Sequence, residues 1–400
     1  MTPDSVAIVG ASLAGLSVLR ELRAAGFTGP VTVIGEETHR PYDRPPLSKA
    51  FLHDGPRPDL ALADAAELDE LSASWLLGTR ATGLSSQSAD HHTVEVDGGA
   101  EVTAEAVVVA TGARARTLPG HRALAGVHSL RTLDDAEALR RSLRGCARLV
   151  VIGAGFIGAE VASTAAARGA DVTVVEAAAL PLAHAFGDAV AASCAAMHGA
   201  HGVRLRTGVG VQGLSGSDRV EEVVLADGTR LPADAVVVGI GARPNTEWLN
   251  HPQIVLHHPS GGIRTDACGR TDVRGVYALG DCAAAFSPDH GEHHRSEHWT
   301  NATTQAKAVA AAIAGTAVPP SATPYMWSDQ YGHRLQFAGH RTGSDTLRVV
   351  DGDLSDDSFV AVYERDEQVV AVFARDNARL FTRYRKQIDR ARLELASLPA

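Results

Sequence analysis

Residues 6–36 read VAIVGASLAGLSVLRELRAAGFTGPVTVIGE, and this stretch decides the fold. Val6–Val9 is a short apolar run of the kind that forms a buried parallel strand. Gly10-Ala11-Ser12-Leu13-Ala14-Gly15 then turns into a helix whose apolar positions Leu13, Leu16, Leu19 and Leu22 recur at helical spacing. Val31–Ile34 is a second strand, and Glu36 stands just past its end. This is a βαβ unit carrying a dinucleotide-binding fingerprint. Gly10 permits the tight turn, and Gly15 lets helix and strand approach. The amides at the helix start attract a pyrophosphate, and Glu36 accepts from ribose hydroxyls. Ser12 stands where the second fingerprint glycine is expected. Its side chain is small, and its hydroxyl can itself donate to a phosphate.

Residues 148–176 repeat the pattern as RLVVIGAGFIGAEVASTAAARGADVTVVE. Here Gly153-Ala154-Gly155-Phe156-Ile157-Gly158 keeps all three glycines, and Glu176 is the terminal acid. An internal repeat of this size implies two nucleotide-binding units in one chain. A carboxylate at Glu176 pairs with free 2′- and 3′-hydroxyls and repels a 2′-phosphate. Ala177 to Leu182 supply no cation, so the expectation is NADH over NADPH.

A length of 400 residues suggests two or three domains, and 45% hydrophobic content provides a sizeable core. No run approaches the roughly 18 apolar residues of a membrane span. The start, MTPDS, has neither the basic region nor the apolar region of a secretory signal, and the chain reads as cytoplasmic. A net charge of −10 argues against nucleic acid as a partner. The cysteines Cys146, Cys194, Cys268 and Cys282 form no CxxC pair and read as reduced and structural. Lysine occurs only at Lys49, Lys307 and Lys386 in a chain rich in arginine, which draws attention to Lys49 beside the first fingerprint.

Beyond the fingerprints, residues 93–96 and 101–103 flank Asp97-Gly98-Gly99 as a hairpin. Ala106–Ala110 is a strand that ends in Thr111-Gly112, a turn suited to touching a cofactor. Val203–Arg206, Val220–Leu225 and Arg230-Leu231 read as one small antiparallel element. Ala235–Ile240 ends in a similar turn at Gly241. Val276–Leu279 ends in Gly280-Asp281, where a carboxylate can accept from a polyol chain. Trp299–Ala314 is a helix, and Pro319-Pro320 mark a boundary. The tail reads as strands at 335–338, 359–363 and 369–373 with a helix over 378–395. The expected domains are 1–113 with 241–320, then 114–240, then an α+β domain over 321–400.

The two fingerprints, Thr111-Gly112, Gly280-Asp281 and the tail resemble the flavin-dependent pyridine-nucleotide oxidoreductases of the glutathione-reductase fold. Arg40-Pro41-Tyr42-Asp43-Arg44-Pro45-Pro46-Leu47-Ser48-Lys49 and Trp327-Ser328-Asp329-Gln330-Tyr331 are similar to the ferredoxin reductases of oxygenase systems. The resemblance implies an α/β fold with two Rossmann-like domains, one for FAD and one for NADH, plus the C-terminal α+β domain. It implies that Gly10, Ser12, Leu13, Ala14, Gly15 and Glu36 hold FAD, with Ala81 at the adenine side and Asp281 on the ribityl chain. Arg44, Pro45, Lys49, Arg131, Trp299 and Trp327 would contact the flavin, and Gly153 to Gly158, Glu160 and Glu176 would bind NADH. Hydride would pass from NADH to the flavin, and single electrons to an iron–sulfur ferredoxin, of 2Fe-2S or 3Fe-4S type, that feeds a P450 or Rieske oxygenase. Lys49 and Glu160 are the candidate catalytic pair. The turn Ala374-Arg375-Asp376-Asn377 departs from the family pattern.

Other chemistries fit less well. The first flavin loop carries Ser48 and no cysteine, against a disulfide or coenzyme A disulfide reductase. His290, His293, His294 and His298 lack a tetrahedral ligand pattern, so no metal site is expected. An NADH oxidase or quinone reductase is one alternative. An NADH sensor resembling apoptosis-inducing factor is another, though this acidic chain lacks the basic surface expected of that type.

Overall fold

The computed structural model describes residues 2–119, 124–288, 291–320 and 322–396. The chain divides into two compact units, each built from separated segments. The first comprises residues 1–43, 60–114 and 243–324, and the second 44–59, 115–242 and 325–400.

The first unit is organised on a five-stranded parallel sheet. Its order is Val276–Ala278, Ala106–Val109, Val6–Val9, Val31–Gly35, Ser74–Leu77. The strand order reverses between Val6–Val9 and Ala106–Val109, and such a switch point is where open α/β sheets bind ligands. Both faces of the inner strands are covered, which is why Val6–Val9 and Ala106–Val109 are apolar without alternation. The helix Leu13–Ala24 buries Leu16, Leu19 and Leu22 against one face, beside the helix Trp299–Ala314. The hairpin expected around Asp97 forms between His91–Val96 and Glu101–Ala104, with Ala81–Ser88 as an unforeseen third strand.

The second unit repeats the arrangement. Arg204–Arg206, Asp171–Val175, Arg148–Ile152, Ala235–Val238 and Val127–His128 form a parallel sheet. This corrects the reading of residues 203–206 as part of an antiparallel element. Arg204–Arg206 instead extends the parallel sheet, pairing Val175 with Arg206. The antiparallel element is Val211–Ser215, Glu222–Leu225 and Arg230–Pro232.

The tail is a five-stranded antiparallel sheet ordered Tyr325–Gln330, His333–Gly339, Gln368–Arg375, Phe359–Arg365, Thr346–Asp351. One face packs Phe381 and Ile388 of the helix Ala378–Ala396 on Val360, Val362 and Val372. The other packs Phe359, Tyr363 and Phe373 on Phe186, Val190 and Met197. Two of these strands, at 325–330 and 346–351, escape a hydrophobicity reading because polar residues interrupt both. Of the stretch Ala374-Arg375-Asp376-Asn377, the first two residues end the strand Gln368–Arg375, and Asp376 takes φ 47°. Asn377 then starts the final helix, its side chain accepting from the Leu380 amide at 3.2 Å.

Candidate active site

In the first unit Gly10 has φ 129°, and a Cβ there would lie 2.1 Å from the carbonyl oxygen of Ala110. A Cβ on Gly15 would lie 1.9 Å from the carbonyl of Gly10. Both glycines are demanded by backbone contact at the switch point. Ser12 precedes the helix at φ −124°, a conformation open to any residue, which is why serine is tolerated there. Its hydroxyl makes no capping bond, and the first turn, with Leu13 and Ala14, holds no acidic side chain. The positive helix end is thus left for an anion. Glu36 lies exposed past the strand end with the Arg80 guanidinium 3.8 Å away, a neighbour that sequence reasoning missed. Ala81, the next residue, is buried.

Thr111 and Gly112 are clipped to Asn245. Thr111 Oγ1 donates to the Asn245 carbonyl at 2.7 Å, the Asn245 side chain donates to the Thr111 carbonyl at 2.9 Å, and the Asn245 amide donates to Gly112. Asn245 was the overlooked partner, and its signal was the likeness between the two strand-end turns. Gly280, at φ 71°, approaches the fingerprint helix, since a Cβ there would sit 3.3 Å from Ala14 Cβ. Its amide donates to Gln305 at 2.7 Å, which sets Asp281 in a short 3-10 turn beside that helix. The Asp281 carbonyl accepts from Arg295 at 3.1 Å. Trp299 Nε1 donates to Asp43 at 2.8 Å. Ser296 Oγ, in the same segment, is buried without a partner among the described residues. A buried orphan hydroxyl, an uncapped helix end and an acid at a strand end together fit a bound dinucleotide.

In the second unit Gly153 has φ 99°, and its Cβ would lie 2.3 Å from the Gly239 carbonyl, as with Gly10. A Cβ on Gly158 would lie 2.0 Å from the Gly153 carbonyl. Gly155 differs. It has φ −73°, and a Cβ there would meet nothing within 4 Å. Neither backbone conformation nor packing calls for glycine at 155, which is compatible with close approach of a ligand there. Phe156 packs edge-on against Phe186, while Ile157 stays exposed at the helix start. Glu176 is held by two amides, those of Ala154 at 2.9 Å and Ala178 at 2.8 Å. Gly241, at φ 95°, accepts from the Arg116 amide at 2.9 Å.

The loop 44–53 also belongs to the second unit. Arg44 donates to the Arg131 carbonyl at 2.7 Å, bringing those two residues together. Pro45 opens a 3-10 turn, and its carbonyl accepts from Lys49 Nζ at 3.1 Å. Lys49 Nζ also lies 2.7 Å from Glu160 Oε2. Glu160 is 3% exposed on the helix Phe156–Ala167 and accepts further bonds from Ser48 Oγ and Ser328 Oγ, each at 2.5 Å. A buried carboxylate needs this many donors to offset its desolvation. Ser48 and Ser328 are functional candidates that sequence reasoning did not assign. Trp327 stacks on Tyr325, 5.8 Å between ring centres, on the opposite face of the strand from Ser328.

Cys146, Cys194, Cys268 and Cys282 are unbridged, and burial pushes the Cys194 thiol up to about 11. Of the four histidines weighed as ligands, His290 lies outside the described residues. Burial holds His298 below its ordinary value. Among the described residues no three histidine, cysteine or acidic side chains gather as a metal site.

Comparison with known proteins finds relatives that span nearly the whole chain. The chlorobenzene dioxygenase ferredoxin reductase component of Cupriavidus sp. (strain PS12) is 39% identical over 396 residues, 98% of this chain and 94% of that protein. Rhodocoxin reductase of Rhodococcus erythropolis is 40% identical, covering 89% of this chain and 82% of its own length. The crystal structure of the covalent putidaredoxin reductase–putidaredoxin complex superposes with a TM-score of 0.90 at 34% identity, covering 97% of this chain and 93% of that one. Residues 325–397 match a reductase C-terminal domain. Residues 4–306 match the pyridine nucleotide-disulphide oxidoreductase model, and the chain belongs to that family.

Proposed function

We propose that the protein transfers electrons from NADH to an iron–sulfur ferredoxin, of 2Fe-2S or 3Fe-4S type, which feeds a P450 or Rieske oxygenase. FAD and NADH are its cofactors. Bound FAD supplies the conversion between a two-electron hydride donor and a one-electron acceptor. Its seat is the cytoplasm, and no helix among the described residues is long and apolar enough to cross a membrane.

The observation that carries the reading is the loop at Ser48 and Lys49. Where a thiol-based relative would need a cysteine, Ser48 Oγ donates to Glu160, and Lys49 forms an ion pair with the same carboxylate. That loop holds no redox thiol. It does hold a fixed ammonium, suited to charge that develops on a reduced flavin. In this reading the first fingerprint, with Glu36, Asp281 and Trp299, holds FAD. Gly153 to Gly158 and Glu176 hold NADH. Arg44, Pro45, Arg131 and Trp327 position the flavin, and Lys49 with Glu160 acts on the hydride step.

Four exposed cations run along one face of the final helix at Arg379, Arg383, Lys386 and Arg390. On a chain of net charge −10 this stripe is the face that charge complementarity offers an acidic ferredoxin.

The test is NADH-driven reduction of cytochrome c by the FAD-loaded protein. Strong stimulation by an added ferredoxin supports the reading. Consumption of NADH at the same rate with oxygen or a quinone, indifferent to ferredoxin, overturns it.

A further inference from the structure

Ser328 and Gln330 occupy alternate positions on the strand Tyr325–Gln330, with 0% and 1% exposure. Alternate residues share a face, and the third inward residue of this strand, Met326, packs in the apolar core. Two uncharged polar side chains fully buried in such a row are costly unless every polar atom is used.

They are used in one direction. Gln330 Nε2 donates to Ser328 Oγ at 3.0 Å, and Ser328 Oγ donates to Glu160 Oε1 at 2.5 Å. Because the Gln330 N–H fills an acceptor site on the serine oxygen, the serine proton is committed to Glu160. The other carboxylate oxygen, Oε2, takes Ser48 Oγ at 2.5 Å and Lys49 Nζ at 2.7 Å. The Ser48 carbonyl in turn accepts from Thr164 Oγ1 at 3.2 Å, one helical turn beyond Glu160.

The two oxygens are thus held from two sides, one by the tail sheet and one by the lysine loop. With Oε1 pinned, the carboxylate cannot rotate away from the ammonium. Without Ser328 the carboxylate has one donor fewer and is free to swing, carrying Lys49 with it.

We propose that Ser328, oriented by Gln330, is a positioning residue for Lys49 that acts through Glu160. The inference rests on the reading of Lys49 as a participant in flavin reduction. It makes the tail domain part of the machinery of the hydride step and not only a cover for the sheet.

The test is stopped-flow reduction of the bound flavin by NADH in the FAD-loaded full chain, for Ser328→Ala, Ser328→Thr, Glu160→Gln and the double variant Ser328→Ala/Glu160→Gln. Loss of one charge-assisted bond in the relay is expected to slow reduction about 3- to 10-fold in Ser328→Ala. Ser328→Thr, which keeps the hydroxyl, is expected to restore most of the rate. In the Glu160→Gln background the alanine change is expected to add nothing, because its route to Lys49 is gone. Full additivity of the two changes, or an unchanged rate in Ser328→Ala, overturns the proposal. Lys49→Met separates the layers. If that variant is slow while Ser328→Ala and Glu160→Gln are additive, only the positioning role falls. If Lys49→Met reduces at the wild-type rate, both fall. Melting temperature and flavin absorbance of each variant show whether a slow rate reflects lost folding; should Ser328→Ala fail to fold, the same cycle is run with Gln330→Met.

Discussion

Glu176 Oε2 accepts the backbone N–H of Ala154 at 2.9 Å, so the acid at the end of one strand is tied to the fingerprint turn at the end of its neighbour. The second carboxylate oxygen takes the Ala178 amide. The fold therefore holds the acid in place, so that reorganisation on binding a nucleotide there would be small. Replacing Glu176 with alanine is expected to lower kcat/KM for NADH by about 30-fold or more, the cost of a charge-assisted bond pair. The wild-type protein is expected to prefer NADH strongly. Steady-state kinetics with both nucleotides check this, and comparable kcat/KM values would contradict it.

The glycines of the second fingerprint separate by role. Gly153→Ala forces a side chain against the Gly239 carbonyl at positive φ, and should cost about 2 kcal/mol or more in stability. Gly155→Ala meets open space and should melt within about 0.5 kcal/mol of wild type, while its KM for NADH rises. Thermal melts and NADH titration of the two variants distinguish packing from ligand approach. A Gly155→Ala protein as unstable as Gly153→Ala would refute the assignment.

Lys49→Met removes the ammonium while keeping its length. Flavin reduction by NADH should slow by about 100-fold or more, the scale of losing a preorganised electrostatic group. Rapid-mixing absorbance at the flavin band measures it.

The cationic stripe on the final helix should govern the encounter with ferredoxin. Arg383→Glu with Lys386→Glu is expected to raise KM for ferredoxin several-fold and to flatten its salt dependence. NADH-driven reduction of ferricyanide, a small acceptor, should be unchanged.

His198 gives a pH signature. Its Nδ1 lies 2.6 Å from the Tyr331 hydroxyl, and burial holds the ring down to about 4 from its ordinary 6.5. The same burial pushes Tyr331 upward. Between those two pH values the unfolded chain binds a proton that the folded chain does not. Stability therefore falls as pH drops from 6.5 towards 4 and levels off below, by about 3 kcal/mol at most from this group. His198→Asn should lose that part of the slope, as read from melting temperature against pH.

Both fingerprints were legible because all their parts lie within about thirty residues of sequence and each follows from local chemistry. The strand, glycine turn, helix and acid fell where expected in both units. The helix Trp299–Ala314 was equally plain. Arg204–Arg206 was misplaced because a three-residue strand carries no periodicity, and only the neighbouring sheet edge decides where it pairs. Tyr325–Gln330 was hidden because its inward face carries Ser328 and Gln330 in place of apolar residues.

The sequence by itself determined two βαβ units with glycine turns, the acids Glu36 and Glu176 at their strand ends, and the absence of a redox thiol beside Lys49. Only the tertiary structure decided what surrounds Glu160. Ser48 is 112 residues away along the chain and Ser328 is 168 away, yet both hydroxyls point at one carboxylate. No local pattern encodes such a meeting, because a buried charge collects its donors from whichever elements the fold packs around it.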